Sequence, residues 1–307
     1  MQHSPYNLVA VVGPTASGKT KLAVALAHRL NGEVISADSR QVYRHMDIGT
    51  GKDIDEYQVN GVKVPYHLID IADPGYKYNV FQYQTDFYKT FDDVRSRGRF
   101  PVMCGGSGLY VEAVLEGYQL VSVPPNAELR QKLETKTLAE LTTLLASYKV
   151  LHNQSDTETK VRAIRAIEIE EHCLTHPDID RELPELNPLI IGVNIDREAR
   201  RDKITARLKE RHSAGMIDEA RRLIAMGLSA DDLIYYGLEY KYLALHLTGQ
   251  LTESEMFDQL NIAIHQFAKR QMTWFRKMER SGIVIYWMDA FDPIDERVSK
   301  ILQMMEI

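Results

Sequence analysis

Eight consecutive residues, Gly13-Pro14-Thr15-Ala16-Ser17-Gly18-Lys19-Thr20, satisfy the spacing G-x-x-x-x-G-K-[ST] at every fixed position. That spacing serves the holding of phosphate. The glycines let backbone N–H groups close around phosphate oxygens at a helix N-terminus, Lys19 adds a point charge, and the Thr20 hydroxyl can ligate magnesium. The flanks suit the chemistry: an apolar run, Leu8 to Val12, precedes the loop, and Leu22, Ala23, Leu26, Ala27 and Leu30 follow at helical spacing. A chance Gly-rich turn would lack both. The motif alone does not say which group leaves the phosphate.

Asp38 is the second candidate. It ends the strand-like run Glu33 to Asp38, and ligands of parallel sheets bind at the carboxyl ends of strands. Three readings stay open there: a base that takes a proton from a substrate nucleophile, a magnesium ligand, or a cap for the turn that follows. The polar and cationic segment Ser39-Arg40-Gln41-Val42-Tyr43-Arg44 suits a lined pocket more than a plain connector. Gly105-Gly106-Ser107-Gly108 reads either as a close backbone approach with a hydroxyl for a phosphate or base edge, or as a tight turn only.

Basic residues gather in three places: Lys160, Arg162 and Arg165; Arg197, Arg200, Arg201 and Lys203; and Lys269, Arg270, Arg276, Lys277 and Arg280 interleaved with Trp274 and Phe275. Such runs are often solvated helix faces. Three of them around one phosphate loop also fit a polyanionic partner, although the formal net charge of -6 argues against a wholly basic nucleic-acid binder.

The elements that must position these residues alternate in type. EVISAD (33–38), HLIDI (67–71) and PVMCGG (101–106) read as strands, with a helix after Asn79 and another over 109–115. Alternation of this kind predicts a parallel sheet with helices on both faces. Residues 118–186 carry helical spacing and no strand, LIIGVNID (189–196) restores strand character, and a long helix opens on the capping box at Thr252 and runs to about Arg280. IVIYWMD (283–289) reads as a last strand. The expectation is an α/β fold of the P-loop nucleoside-triphosphate-hydrolase type, its catalytic core formed by 1–117 and 187–307, with 118–186 as an inserted helical domain.

A chain of 307 residues, 44% hydrophobic and 26% charged, is that of a globular protein. No apolar run reaches the ~20 residues of a membrane span, the first residues lack signal-peptide character, and two isolated cysteines exclude a disulfide framework or zinc finger. A cytoplasmic enzyme is expected.

Read together, GPTASGKT, SADSRQVYRHMDIGTGKD (36–53), PYHLIDIADP (65–74), GGSGLY (105–110) and AKRQMTWFR (268–276) resemble, in content and order, the tRNA dimethylallyltransferases. The resemblance covers most of the chain outside the insertion. It implies transfer of the dimethylallyl group of dimethylallyl diphosphate to the exocyclic amine of the adenosine 3′-adjacent to the anticodon. Gly13 to Thr20 would then hold the diphosphate, with Mg2+ on Thr20. Asp38 matches the family's general base, and Ser107 the threonine usual after the paired glycines, with Lys19 completing the catalytic set. Asp38, Ser39, Arg40, Gln41 and Ser107 match the acceptor site. Arg130, the segment Val161-Arg162-Ala163-Ile164-Arg165, and Lys269, Arg270, Gln271, Thr273, Trp274 and Arg276 match regions contacting the anticodon arm of tRNA. A monomer without membrane attachment is expected.

One departure stands out: relatives often carry a G-Y-[KR]-E-like motif where this chain reads Gly237-Leu238-Glu239-Tyr240. Three rivals remain: a small-molecule kinase with the insertion as lid, an adenylate isopentenyltransferase acting on free nucleotides, and a non-enzymatic RNA-binding or nucleotide-switch module. The Asp38-Ser39-x-Gln41-x-Tyr43 segment and the aromatic–basic C-terminal helix argue against the kinase, and the same helix with the insertion argues against a free nucleotide.

Overall fold

The computed structural model describes residues 4–151, 155–176 and 182–306. Two compact units are present: Met1–Gly117 with Pro184–Ile307, and Tyr118–Leu183. Segments 152–154 and 177–181 of the stretch read as an insertion lie outside the described residues.

The larger unit contains strands β1 (Leu8–Val12), β2 (Glu33–Ser36), β3 (Gln58–Val59), β4 (Val62–Lys63), β5 (Tyr66–His67), β6 (Pro101–Gly105), β7 (Pro188–Asn194) and β8 (Tyr286–Asp289). Six of them form one sheet in the order β5-β2-β6-β1-β7-β8, every neighbouring pair parallel. The β3–β4 pair is a separate antiparallel ribbon. Every residue of β1, β2 and β6 is buried, which is why these strands read as continuous apolar runs rather than alternating ones.

Helices α1 (Lys19–Arg29), α2 (Val80–Ser96) and α3 (Gly108–Leu115) belong to the same unit. The side chain of Asn79 accepts a hydrogen bond from Gln82 N while the Gln82 side chain accepts from Asn79 N, so a full capping box fixes the start of α2. Tyr83, Phe87, Phe91 and Val94 then share its buried face. Helices α4 (Ala127–Glu134), α5 (Leu138–Tyr148) and α6 (Lys160–Thr175) make the smaller unit, closed around Leu133, Leu141, Leu145, Ala163, Ile164 and Ile167. The chain continues through α7 (Arg197–Ser213), α8 (Met216–Ala225), α9 (Ala230–Tyr235), α10 (Leu238–Leu247), α11 (Glu253–Arg280) and α12 (Ile294–Met304).

Two strand expectations are corrected. HLIDI pairs with β2 only at its first residue, because Leu68 and Asp70 take left-handed φ of 61° and 57°. The N–H groups of Asp70 and Ile71 donate instead to Gln41 O and Val42 O. The stretch therefore braces the loop after Asp38. Similarly, IVIYWMD enters the sheet only from Tyr286; Ile283 N caps the end of α11 through Met278 O.

Glu33 is a buried carboxylate at the start of β2. Arg97 donates to it (Nη2–Oε2, 2.8 Å), His67 Nε2 lies 2.7 Å from it, and these partners hold its carboxyl down at about 2, Arg97 foremost.

Candidate functional site

Three strand ends meet at the carboxyl edge of the sheet. β1 runs into the phosphate loop, β2 into Asp38–Gln41, and β6 into Gly105–Gly108. Ala37 N donates to Cys104 O (2.8 Å) and Ser107 N to Ala37 O (3.2 Å), so the second and third loops are laced together just before Asp38. Gly18 takes φ 81°, a left-handed turn that opens the N-terminus of α1 and favours glycine. Lys19 Nζ donates back to Pro14 O (3.3 Å) and is buried enough that its pKa falls below the usual lysine value. Ser17 is 2% exposed, and its Oγ has no partner among the described residues.

The two carboxylate oxygens of Asp38 differ in their surroundings. Oδ1 accepts from Arg40 N (2.9 Å) and Gln41 N (3.4 Å) and so closes the turn. No hydrogen bond from the described residues goes to Oδ2. Ser107 Oγ accepts from Ser39 N (2.9 Å) and donates to Ser39 Oγ (3.2 Å). The Gln41 side chain donates to Gly51 O (3.0 Å), and Arg40 Nη1 donates to Tyr235 O (3.2 Å).

Helix α11 lies over these loops. Gln271, 7% exposed, accepts from Thr15 N (2.8 Å) and donates from Nε2 to Gly106 O (2.9 Å), joining the phosphate loop to the glycine loop. Its amide oxygen and one amide N–H are thereby engaged inside the protein. A Cβ at Gly108 would stand 2.4 Å from Trp274 Cγ, so a glycine is what lets Trp274 pack there.

The resulting cavity has a volume of about 600 Å³. Lys19, Thr20, Asp38, Ser107 and Gln271 line it, with Ile264, Phe267 and Trp274 giving an apolar wall. It also contains residues that sequence reasoning missed. Arg207 and Arg211, one turn apart on α7, face the same space, with Asp53 as ion-pair partner of both. Burial, with Arg211 adding its charge, pulls Arg207 down to about 9. The i, i+4 spacing of the two arginines, each three residues after a buried residue (Ile204, Leu208), puts them on one helix face, but does not tell which element that face meets. Glu239 on α10 also lines the cavity, and burial raises its carboxyl above the usual range.

The departing motif thus acquires physical content. Tyr240 Oη donates to Glu219 Oε1 (2.6 Å), and the same carboxylate accepts from Asp47 N, Ile48 N and Gly49 N at 2.8–2.9 Å. Glu219 and Tyr240 therefore anchor the loop that presents Thr50 and Gly51 to the cavity.

The remaining candidates sort by location. Lys269, Thr273 and Arg276 join Arg197, Arg200 and Arg201 around a separate cavity of about 570 Å³ between α7 and α11. None of the five cations in that group makes an ion pair among the described residues, whereas Arg270 lines the first cavity with its guanidinium 6.0 Å from the Phe267 ring centroid. In the smaller unit, Arg130 donates to the buried Glu168 (Nε, 3.0 Å; Nη2, 2.8 Å), and Arg165 pairs with the same carboxylate and with Val123 O. Although burial alone would raise Glu168, these bonds hold it at about 2. Ala163 and Ile164 turn into the core of that unit, while Val161 and Arg162 are exposed and Arg162 pairs with Glu158.

A cation at Thr20 would find a hydroxyl at the first turn of α1, phosphate oxygens and water. No cluster of three His, Cys, Asp or Glu able to cage a metal occurs among the described residues. The neighbouring Cys104 thiol, which accepts from Thr20, is pushed up to about 11 by burial and so is no thiolate ligand. This donor set fits Mg2+, which binds through few protein oxygens and keeps substrate phosphates and waters.

A family model described as IPP transferase matches residues 41–278, and one described as Isopentenyl transferase matches residues 6–68. The chain is 60% identical over 301 residues, 98% of each chain, to a tRNA dimethylallyltransferase 2 of Bacteroides fragilis. It is 58% identical, with the same coverage, to a tRNA dimethylallyltransferase 1 of Parabacteroides distasonis. The solved structure of the full-length tRNA isopentenylpyrophosphate transferase from Bacillus halodurans superposes with a TM-score of 0.71 at 36% identity, covering 98% of this chain and 96% of that one.

Proposed function

Because the chain belongs to the IPP transferase family of tRNA dimethylallyltransferases, we propose that the 600 Å³ cavity is where a dimethylallyl group passes from its diphosphate to an adenosine of tRNA. As a tRNA prenyltransferase the protein must serve a leaving group and a nucleophile at once. The observation that carries the assignment is that Lys19, Arg207 and Arg211 share one cavity with Asp38, one of whose carboxylate oxygens accepts no hydrogen bond from the described residues.

The chemistry follows from those groups. Adenine's exocyclic amine is a weak nucleophile, its lone pair being delocalised into the ring. As the N–C bond forms and the allylic C–O bond breaks, Asp38 Oδ2 accepts the amine proton and the diphosphate departs with its charge. Lys19, the loop amides and the two arginines stabilise that charge where it develops. Mg2+ held by Thr20 and the phosphates would neutralise part of it. The apolar wall of Ile264, Phe267 and Trp274 receives the prenyl chain and the base, which must be turned out of its RNA stack to arrive there. Ser107, Ser39, Arg40 and Gln41 position the acceptor nucleotide, and the cations between α7 and α11 hold RNA phosphates. We place the reaction in the cytoplasm and on a monomer; among the described residues no helix is long and apolar enough to cross a membrane.

Labelled dimethylallyl diphosphate, bulk tRNA and magnesium, followed by nucleoside analysis, test the proposal. Prenyladenosine should form, and Lys19→Ala should sharply reduce it. Rapid ATP consumption without prenyl transfer would overturn the assignment.

A further inference from the structure

A second cavity, of about 1120 Å³, opens on the outer side of the phosphate loop. Residues 16–21 form one wall, and Lys19, Thr20, Arg207 and Arg211 border both this cavity and the first. Arg297 of α12 lines the second cavity as well. Val298 and Ile301 of that helix enter the main core with α1, which carries Arg297 into the interior at 4% exposure.

Arg297 is there without the partners that a structural arginine has. Its Nε and Nη1 meet no acceptor, and no carboxylate comes within ion-pair distance of it, among the described residues. Asp289 and Asp292 act on it only through space, and Asp292 pairs with Lys300. A buried guanidinium left in this state is costly. Elsewhere around the cavity Lys21 pairs with Glu56, Lys52 with Asp47, and Arg207 and Arg211 share Asp53. Among the described residues Lys19, Lys203 and Arg297 have no ion-pair partner, and only one lining carboxylate, Glu210, is likewise unpaired, so the set is left net positive beside the buried, unpartnered hydroxyl of Ser17. What completes such a set is a multiply charged oxyanion.

We propose that Arg297 binds the terminal phosphate of the diphosphate whose proximal phosphate lies against Lys19. Arg297 thereby selects diphosphate over monophosphate esters. The assignment rests on the prenyl-transfer reading for the identity of the ester, but not for the anion site itself. A guanidinium is suited to this task because its planar fork donates two parallel hydrogen bonds to one phosphate.

The test compares wild type, Arg297→Met and Arg297→Lys by calorimetric titration with inorganic diphosphate and with orthophosphate, and by thermal unfolding without ligand. Loss of a charge-assisted pair should weaken diphosphate binding roughly 10–100-fold in Arg297→Met, with orthophosphate affinity changed less than about threefold and the ligand-free Tm unchanged or raised. Arg297→Lys keeps the charge but not the fork and should fall between. If the Met variant fails to fold, the Lys variant carries the comparison, with about a threefold to tenfold loss expected for diphosphate alone.

Diphosphate affinity equal to wild type in either folded variant would overturn the assignment. So would a lowered ligand-free Tm with both anions weakened alike. Prenyl transfer is measured on the same wild-type preparation. Transfer with a wild-type KM for dimethylallyl diphosphate in Arg297→Met removes only the Arg297 assignment. Arg297-dependent diphosphate binding without any prenyl transfer removes the functional reading and leaves the site.

Discussion

Replacing Asp38 by Asn separates chemistry from architecture at one residue. In the native turn only Oδ1 is engaged, accepting from Arg40 N and Gln41 N. Asparagine can offer its own oxygen to both, so the turn and the Ser39–Ser107 contact beyond it should survive. What disappears is the basic oxygen facing the cavity, replaced by an NH2 that cannot take a proton. General-base catalysis contributes about 10²–10⁴-fold, or about 3–5 kcal/mol of transition-state stabilisation. The single-turnover rate of Asp38→Asn should fall by that factor. The tRNA dissociation constant, measured by filter binding on the same preparation, should change by less than about threefold, since phosphate contacts supply most of such affinity. Asp38→Ala provides the contrast. It also strips two backbone N–H groups of their acceptor, at ~1 kcal/mol each, and should lower Tm by several degrees where Asp38→Asn does not. An Asp38→Asn enzyme that turns over at near the wild-type rate would show that Oδ2 takes no proton, and the proposed mechanism would fall.

Tenfold higher salt should weaken tRNA binding with a log–log slope of about -0.7 to -0.9 per neutralised phosphate. Replacing Lys269, Arg270 and Arg276 together by Ala, or Arg200 and Arg201 together, should flatten it, and an unchanged slope would make those cations a solvated surface only. Gln271→Leu leaves Thr15 N and Gly106 O unpaired, at ~1–3 kcal/mol each; Tm should fall and KM for dimethylallyl diphosphate should rise at least tenfold by steady-state assay, whereas an unperturbed KM would mean the bridge does not shape the phosphate loop. Glu33 has its carboxyl depressed from 4.5 to about 2 in the folded chain, so the stability it confers is complete above about 4.5 and is lost as pH falls towards 2. Calorimetric Tm should therefore drop through that window, and less steeply in Glu33→Gln; parallel profiles would refute the linkage.

The legible part of the molecule was the part written in local pattern. The phosphate loop, the strands around it and the capped helices α2 and α11 depend on short-range spacing; Asp38 and Ser107 stood out by their place at strand ends, while the roles expected of them came from the family resemblance. Arg207, Arg211, Glu239 and Arg297 were not legible as site residues, because each sits on a helix whose facing is decided by packing against distant elements. HLIDI misled for a related reason: its composition is that of a strand, but left-handed φ at Leu68 and Asp70 diverts its N–H groups to the Asp38 loop. Gln271 looked like one more polar residue on a basic helix. Only the tertiary structure shows its two buried bonds.

The Gln271 bridge has a consequence for the order of events in synthesis. Its hydrogen bond to Thr15 spans 256 residues, so the phosphate loop must wait for nearly the whole chain before its geometry is fixed. At ~5–20 residues per second the interval is about 10–50 s. During that time β1 and α1 are already made while the Gln271 segment of α11 is not, and for the larger part of it β1 also lacks its neighbour β7. A nascent chain in this condition has no assembled site with which to capture diphosphates. A late-made helix, followed only by β8 and α12, thus braces the earliest-made loop.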